Sequence, residues 1–385
     1  MVKSRISEVG HTEGAAPATS AMSDPFPPAP AWLVQLTKPL ANALNLQTLP
    51  LHIHEVIFFA LLYHVLCAYF SPWISTLLFP KRYRNFPART RLNWDVHVVS
   101  LIQSTIVNSM AFYTIYCDGV RWSQSWYFTR HNDPSASQLE PALARVWGYT
   151  PLEGHVVSMA VGYFLWDLVI CAVHMKIFGI GLLLHAIAAL TVYTLGFTPF
   201  VNYYSPVFIL YECSSPALNI HWFLDKVDLT GSSWQWYNGV VLISSFGGSR
   251  LIWGTYAGFR VFWDIWQAMH HPLDLVNYQR RWLNGTMKVT QRDLLGHEHL
   301  LLDDPMRFAK QGTIVSPWRG GIYLTCMVTL SILNFYWFNT MIQTVRSRFE
   351  GPNVKGDTGY HSTATGAEVL ADRKNLTHRK KLVGA

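Results

Sequence analysis

Between residues 52 and 343 the chain carries seven apolar stretches, each long enough to cross about 30 Å of hydrocarbon as a helix. They fall near 52–78, 94–117, 155–175, 178–197, 200–220, 236–264 and 318–343. A helix on the surface of a soluble domain needs only one apolar stripe. Seven apolar runs in succession therefore predict an all-α, polytopic membrane helical bundle. Charged residues make up 14% of the chain, against about 25% in ordinary soluble domains, which excludes a soluble globular enzyme. The sixth stretch is overlong and contains Gly247-Gly248-Ser249, which predicts a tilted or broken span.

Basic residues set the expected orientation. Lys81, Arg82, Arg84, Arg89 and Arg91 crowd the first link with no acidic residue among them, which marks it as cytosolic. Seven spans then place the N-terminus in the lumen and the C-terminus in the cytosol. Asn284-Gly285-Thr286, in the long loop before the last span, is a glycosylation sequon on the expected lumenal side. The net charge of +7 comes largely from the first link and the tail, so a membrane flank explains it better than a nucleic-acid partner. Residues 1–31 are rich in Ala, Pro and Ser without an apolar signal core, and read as disordered. Trp32, Leu33, Leu36, Leu40 and Leu44 follow at helical spacing, as in a helix lying on the membrane surface or a loose leader. Residues 1–49 thus form an N-terminal region, 50–85 the first transmembrane helix with its basic link, and 351–385 a polar tail.

Ionisable groups inside a membrane are costly and face a bundle interior or cavity. Counting helical rise from the turn at Lys176 places Asp167 and His185 each about 13 Å deep. Glu212, Gln103 and Asn334 fall at a similar level on other spans. Each has a purely structural reading, as an interhelical hydrogen bond or a buried pair. Asp167 and His174, seven residues apart, share one helix face, an arrangement that suits general-base chemistry and ordinary pairing alike. Arg250 is expected either to pair with a carboxylate or to hold an anionic headgroup. The 16 histidines contain no HxxxH or HxxHH box, and the five cysteines show no CxxC spacing, so no metal site is expected. There is no G-x-S-x-G elbow, Walker loop or dinucleotide fingerprint.

The run GYFLWDLVICAVHMKIFGIGLLLHAIAALTVY (162–193), then FILYECSSPALNIHWFL (208–224) and LNFYWFNTMI (333–342), resembles the TLC domain. That family takes its name from translocating-chain-associating membrane proteins, ceramide synthases and a neuronal ceroid protein. The resemblance covers residues 86–350, with an insertion at 265–317 and one extra span before it. It implies a six-helix core around a lipid-accessible cavity in endoplasmic reticulum membranes. The ceramide-synthase branch carries two adjacent histidines, followed one helix later by H-D-x-S-D. Here the first histidine matches His185, but Ala186 stands at the second position. The later pattern reads Tyr211-Glu212-Cys213-Ser214-Ser215, without its histidine or final aspartate.

Two functions follow as expectations. One is a TLC protein outside the ceramide-synthase branch that binds or handles a membrane lipid, such as a sphingolipid or fatty-acyl species, and contributes to lipid homeostasis. Glu212, His174, Asn219, Arg250, Asn334 and Gln103 would then contact the lipid, with no cofactor. The other is an acyltransferase of ceramide-synthase type using acyl-CoA as co-substrate, with His185 as base or acyl acceptor and Asp167 or Glu212 orienting it. An accessory role in protein insertion is a third reading.

Overall fold

The structure is a computed structural model that describes residues 23–118, 139–276 and 305–349. The leader before residue 23, the core of the 265–317 insertion with Asn284, and the 351–385 tail lie outside the described residues. Among the described residues there are helices, turns and no strand. The elements are α1 (Ala31–Leu44), α2 (Leu49–Leu78), α3 (Ala88–Cys117), α4 (Leu139–Trp147), α5 (Pro151–Val173) and α6 (Met175–Leu195). Then come the composite rods α7 (205–226) and α8 (233–270), and finally α9 (Pro317–Phe349).

Five of the expected spans, α2, α3, α5, α6 and α9, are continuous helices long and apolar enough to cross a membrane. The fifth and sixth are assembled from shorter pieces. In α7 a 3-10 stretch, Leu210–Ser214, joins two α-helical segments, with Pro206 and Pro216 near the start of each. Proline is tolerated there because the first-turn N–H groups lack helical partners anyway. In α8 the Gly247-Gly248-Ser249 sequence does not break the helix. It opens a π turn, Gly247–Trp253, through which the rod continues to His270. α2 contains a similar π turn, Leu66–Phe70, just ahead of Pro72, whose ring would clash with a regular preceding turn.

The chain runs back and forth between two ends of one bundle. At one end Thr48 donates its N–H to the Phe197 carbonyl at 3.0 Å, Val201 to Val146 at 2.7 Å, and Val315 to Ala268 at 2.8 Å. At the other, Arg82 pairs with Asp228 at 2.6 Å, and Tyr83 donates to Asp95, which also accepts from Ser71 at 2.6 Å. Burial, and then the hydrogen bond to Asp95, push the Tyr83 phenol above its ordinary pKa range. The basic 81–91 link thus lies at the end opposite residues 48, 149 and 197.

α5 is the centre of the bundle. Its apolar window is 61% buried, against 28–39% in the other four continuous spans. It packs on α2 and on α6, and α9 lies on α6. At Gly162 a Cβ would come within 2.7 Å of Phe59 Cβ and 2.9 Å of the Val56 carbonyl, so only glycine admits α2 this close. Gly179, with φ at 78°, lets α6 leave the tight turn after α5 and restart as a regular helix. α1 buries Leu33, Thr37 and Ala41 while Trp32, Leu36, Leu40 and Leu44 stay exposed as an apolar stripe along its outer face. Leu33, which the spacing groups with that stripe, is buried instead.

Candidate functional site

A cavity of about 220 Å³ opens between α3, α5, α6, α7, α8 and α9. The six long helices of the 86–350 region line it, and the short α4 and α2 contribute nothing. Its polar wall includes Asn93, His97, Asp167, His185, Glu212, Asn219 and Arg250, and its apolar wall Leu182, Leu242, Ile243, Phe246, Trp337 and Met341. The cavity lies toward the bundle end that carries the basic link, since Asn93 near the start of α3 and Phe178 just after the α5–α6 turn line it.

The π turn of α8 positions Arg250, which is 8% exposed and held by side chains from two other helices. Its Nη2 donates to Glu212 Oε1 at 3.3 Å and to Ser215 Oγ at 3.1 Å. Nε donates to Ser214 Oγ at 3.0 Å and Nη1 to Asn334 Oδ1 at 3.2 Å. Ser215 donates to Glu212 Oε2 at 2.5 Å, and the guanidinium sits 5.0 Å from the Phe246 ring centre. Of the two expectations for Arg250, the structure shows pairing. The planar fork of arginine suits this many-sided grip, which a lysine could not reproduce.

His185 lies in the same wall, its ring 5.9 Å from that of Phe164 and 5.5 Å from that of Trp337. Its Nδ1 is buried without a hydrogen-bond partner. Neither carboxylate orients it: Glu212 is engaged by Arg250 and Ser215, and Asp167 has its contact with Cys171 Sγ at 3.6 Å. The expectation that Asp167 or Glu212 would steer the imidazole is therefore corrected. A second, smaller cavity of about 30 Å³ adjoins the first, and His185, Glu212 and Arg250 line both; Asn334 belongs to this smaller one.

Two expected members stand elsewhere. His174 caps the end of α5 at the tight turn, half-buried and outside both cavities, so it does not meet Asp167 despite their shared helix face. Seven residues of helix also set the two about 10 Å apart along the axis. Gln103 is buried but lines neither cavity, and its side-chain amide has no protein partner.

Other wall residues escaped the sequence reading. His97 bonds through Nδ1 to Asn219 Oδ1 at 2.7 Å and stacks on Trp222 with 4.2 Å between ring centres. Asn219 in turn donates to Ser100 Oγ at 3.0 Å, so Asn219 is fixed by two α3 groups. Their signal was available: Asn93, His97 and Ser100 recur at intervals of four and three along one face of α3.

The site is thus a predominantly apolar chamber within the bundle, with one polar sector that holds a fixed charge pair, an unengaged imidazole and a largely unengaged carboxylate. Such a chamber matches an amphiphile better than a small polar substrate.

The sequence profile of the TLC domain matches residues 93–343. An uncharacterized TLC domain-containing protein of Schizosaccharomyces pombe is 30% identical, over 85% of this chain and 90% of its own length. Topoisomerase I damage affected protein 4 of Saccharomyces cerevisiae is 27% identical, over 56% of this chain and 72% of its own length. TLC domain-containing protein 4 C of Dictyostelium discoideum is 25% identical, over 53% and 70%. Together with a cavity walled by the six long helices that the profile spans, these matches place the chain in the TLC-domain family of integral membrane proteins.

Proposed function

We propose that this protein holds a membrane lipid in its six-helix cavity and contributes to lipid homeostasis of the endoplasmic reticulum, with its N-terminus lumenal and its C-terminus cytosolic. The observation that carries this reading is the division of the cavity wall. Leu242, Ile243, Phe246, Trp337 and Met341 offer an acyl chain an apolar bed, while Asn219, Asp167 and the Arg250–Glu212 pair offer a headgroup fixed hydrogen-bonding partners. A sphingolipid or fatty-acyl species has this two-part chemistry. The pair presents no net charge, which favours a zwitterionic or neutral headgroup over a strongly anionic one. Mass spectrometry of lipids retained by the purified protein is the direct test. Enrichment of one lipid class over the surrounding membrane is expected, and a retained profile identical to the bulk would reject the reading.

The second reading, an acyl-CoA-dependent acyltransferase, has one observation in its favour. The His185 imidazole lines the cavity with Nδ1 unengaged, as a nucleophile or base awaiting substrate would be. Turnover of added acyl-CoA by the same preparation would decide for it.

A further inference from the structure

At the end of the bundle away from the cavity, four side chains from three separate segments converge. Glu55 and His52 come from the start of α2, His155 from the start of α5, and Asp24 from the segment before α1. His52, Glu55 and His155 are 1%, 0% and 2% exposed. His155 Nδ1 lies 2.6 Å from Glu55 Oε2 and 3.7 Å from Asp24 Oδ1. His52 Nδ1 lies 2.5 Å from Glu55 Oε1 and 3.3 Å from Asp24 Oδ2. Each carboxylate therefore faces both imidazoles. Donor atoms of Asp24, Glu55 and His155 all lie within 4.8 Å of one another.

Hydrogen bonds alone leave this arrangement incomplete. Each imidazole aims a single Nδ1 at two carboxylates. If that nitrogen carries a proton, the short contact commits it to Glu55, and Asp24 Oδ2 keeps only a distant share of one proton. Asp24 Oδ1 is satisfied separately, by the Phe26 N–H at 2.8 Å. Two carboxylates with two neutral imidazoles also leave two negative charges at a buried position, which is costly. We propose that a divalent first-row metal ion, with zinc the best match to two nitrogen and two oxygen donors, occupies this point. One such ion cancels both charges and gives every inward-facing atom a partner.

The surroundings support a built site. The far nitrogen of His52, Nε2, lies 2.6 Å from the Tyr149 hydroxyl, the outer hydrogen bond that fixes the ring of a metal-bound histidine. A Cβ at residue 154 would fall 2.4 Å from that same Nε2, so Gly154 makes room for the ring in this orientation. Phe26 covers His155, with 5.1 Å between ring centres. The ion would clamp the N-terminal segment and α2 onto α5, a structural role independent of the lipid reading. Absence of histidine boxes in the sequence excludes a di-iron cluster but not this site, because its ligands are 24, 52, 55 and 155, far apart along the chain.

The test is elemental analysis of the full chain, purified without added metal, alongside His155→Ala, Asp24→Asn and Tyr149→Phe variants. The wild type should carry about one zinc, manganese or iron per chain, and chelation should lower its melting temperature in a way that added zinc restores. Tyr149→Phe, which removes only the outer hydrogen bond, should weaken zinc binding about 10-fold or more. Asp24→Asn, at the half-buried lip of the site, should fold and yet lose metal, which keeps the test decisive if His155→Ala misfolds. Metal-free wild-type protein whose melting ignores zinc would overturn the proposal, leaving protons on both imidazoles to balance the charge. So would a full equivalent of metal retained by Asp24→Asn and Tyr149→Phe with undiminished affinity.

Discussion

Arg145 and Asp264, 119 residues apart, form a bidentate ion pair with both partners sequestered: Nε to Oδ2 at 2.6 Å and Nη2 to Oδ1 at 2.8 Å. Asp264 is fully buried, Arg145 is 7% exposed, and the Tyr204 hydroxyl adds a third donor to the carboxylate. The pair fastens α4 to the α8 rod at the end of the bundle away from the basic link. Removing one partner strands the other charge, so Asp264→Asn should destabilise the fold by about 3–5 kcal/mol. Replacing both, as in Arg145→Met with Asp264→Leu, should recover most of that loss. Thermal or denaturant unfolding in detergent checks the cycle, and a double variant as weak as the single one would contradict it.

The two cavity carboxylates should differ in reactivity. Both oxygens of Glu212 are engaged, one by Arg250 and one by Ser215, whereas Asp167 has a thiol contact at 3.6 Å. A membrane-permeant carbodiimide should therefore label Asp167 ahead of Glu212, and bound lipid should protect it. Peptide mapping reads the outcome directly. Equal labelling of both would contradict the difference in engagement, and no labelling with or without lipid would show that the chamber is closed to ligands.

Topology gives a third expectation. The basic link and the cavity rim share one end of the bundle, so cysteines placed at Arg82 or Arg91 should react from the cytosol, together with the tail. Asn284 should be glycosylated on the lumenal side. Cytosolic protease cleavage within 270–310 in sealed microsomes would reverse the orientation proposed here.

The polar layer was largely readable before any coordinates, because depth along a span is arithmetic on a 1.5 Å rise. Of the five groups placed at one level, Asp167, His185 and Glu212 line the main cavity and Asn334 the smaller one beside it. Depth alone, however, does not say where along the bundle a cavity closes, and Gln103 shows it: on the α3 face that carries Val96 and Ser100, it is buried one turn beyond them and lines neither cavity. His174 fell short for another reason: seven residues share a helix face but lie about 10 Å apart along it, and His174 sits at the end of α5, outside both cavities. The Arg145–Asp264 pair and the Asp24–His52–Glu55–His155 group had no periodic signal, because tertiary convergence joins segments more than a hundred residues apart. Only the three-residue spacing of His52 and Glu55 was local enough to notice.

The histidine that lines both cavities separates the two functional readings most sharply. For a lipid-holding chamber, His185→Ala removes at most one hydrogen-bonding partner, worth about 0.5–1.5 kcal/mol, or about tenfold in lipid affinity. For an acyltransferase the same change removes the base or acyl acceptor, a loss of about 10²–10⁴-fold in rate, and a strain carrying it should match a deletion. A vacancy beside Phe164 and Trp337 could also loosen the bundle, so His185→Asn serves as the control of similar size and polarity. The geometry favours the lipid-holding outcome. General-base catalysis wants a partner that orients the imidazole, and here Nδ1 has none, with Ala186 and Ser215 standing where the ceramide-synthase pattern places a histidine and an aspartate. The His185→Asn strain should therefore keep a lipidome close to wild type while deletion changes it. A well-expressed His185→Asn protein that reproduces the deletion lipidome would move the conclusion to catalysis.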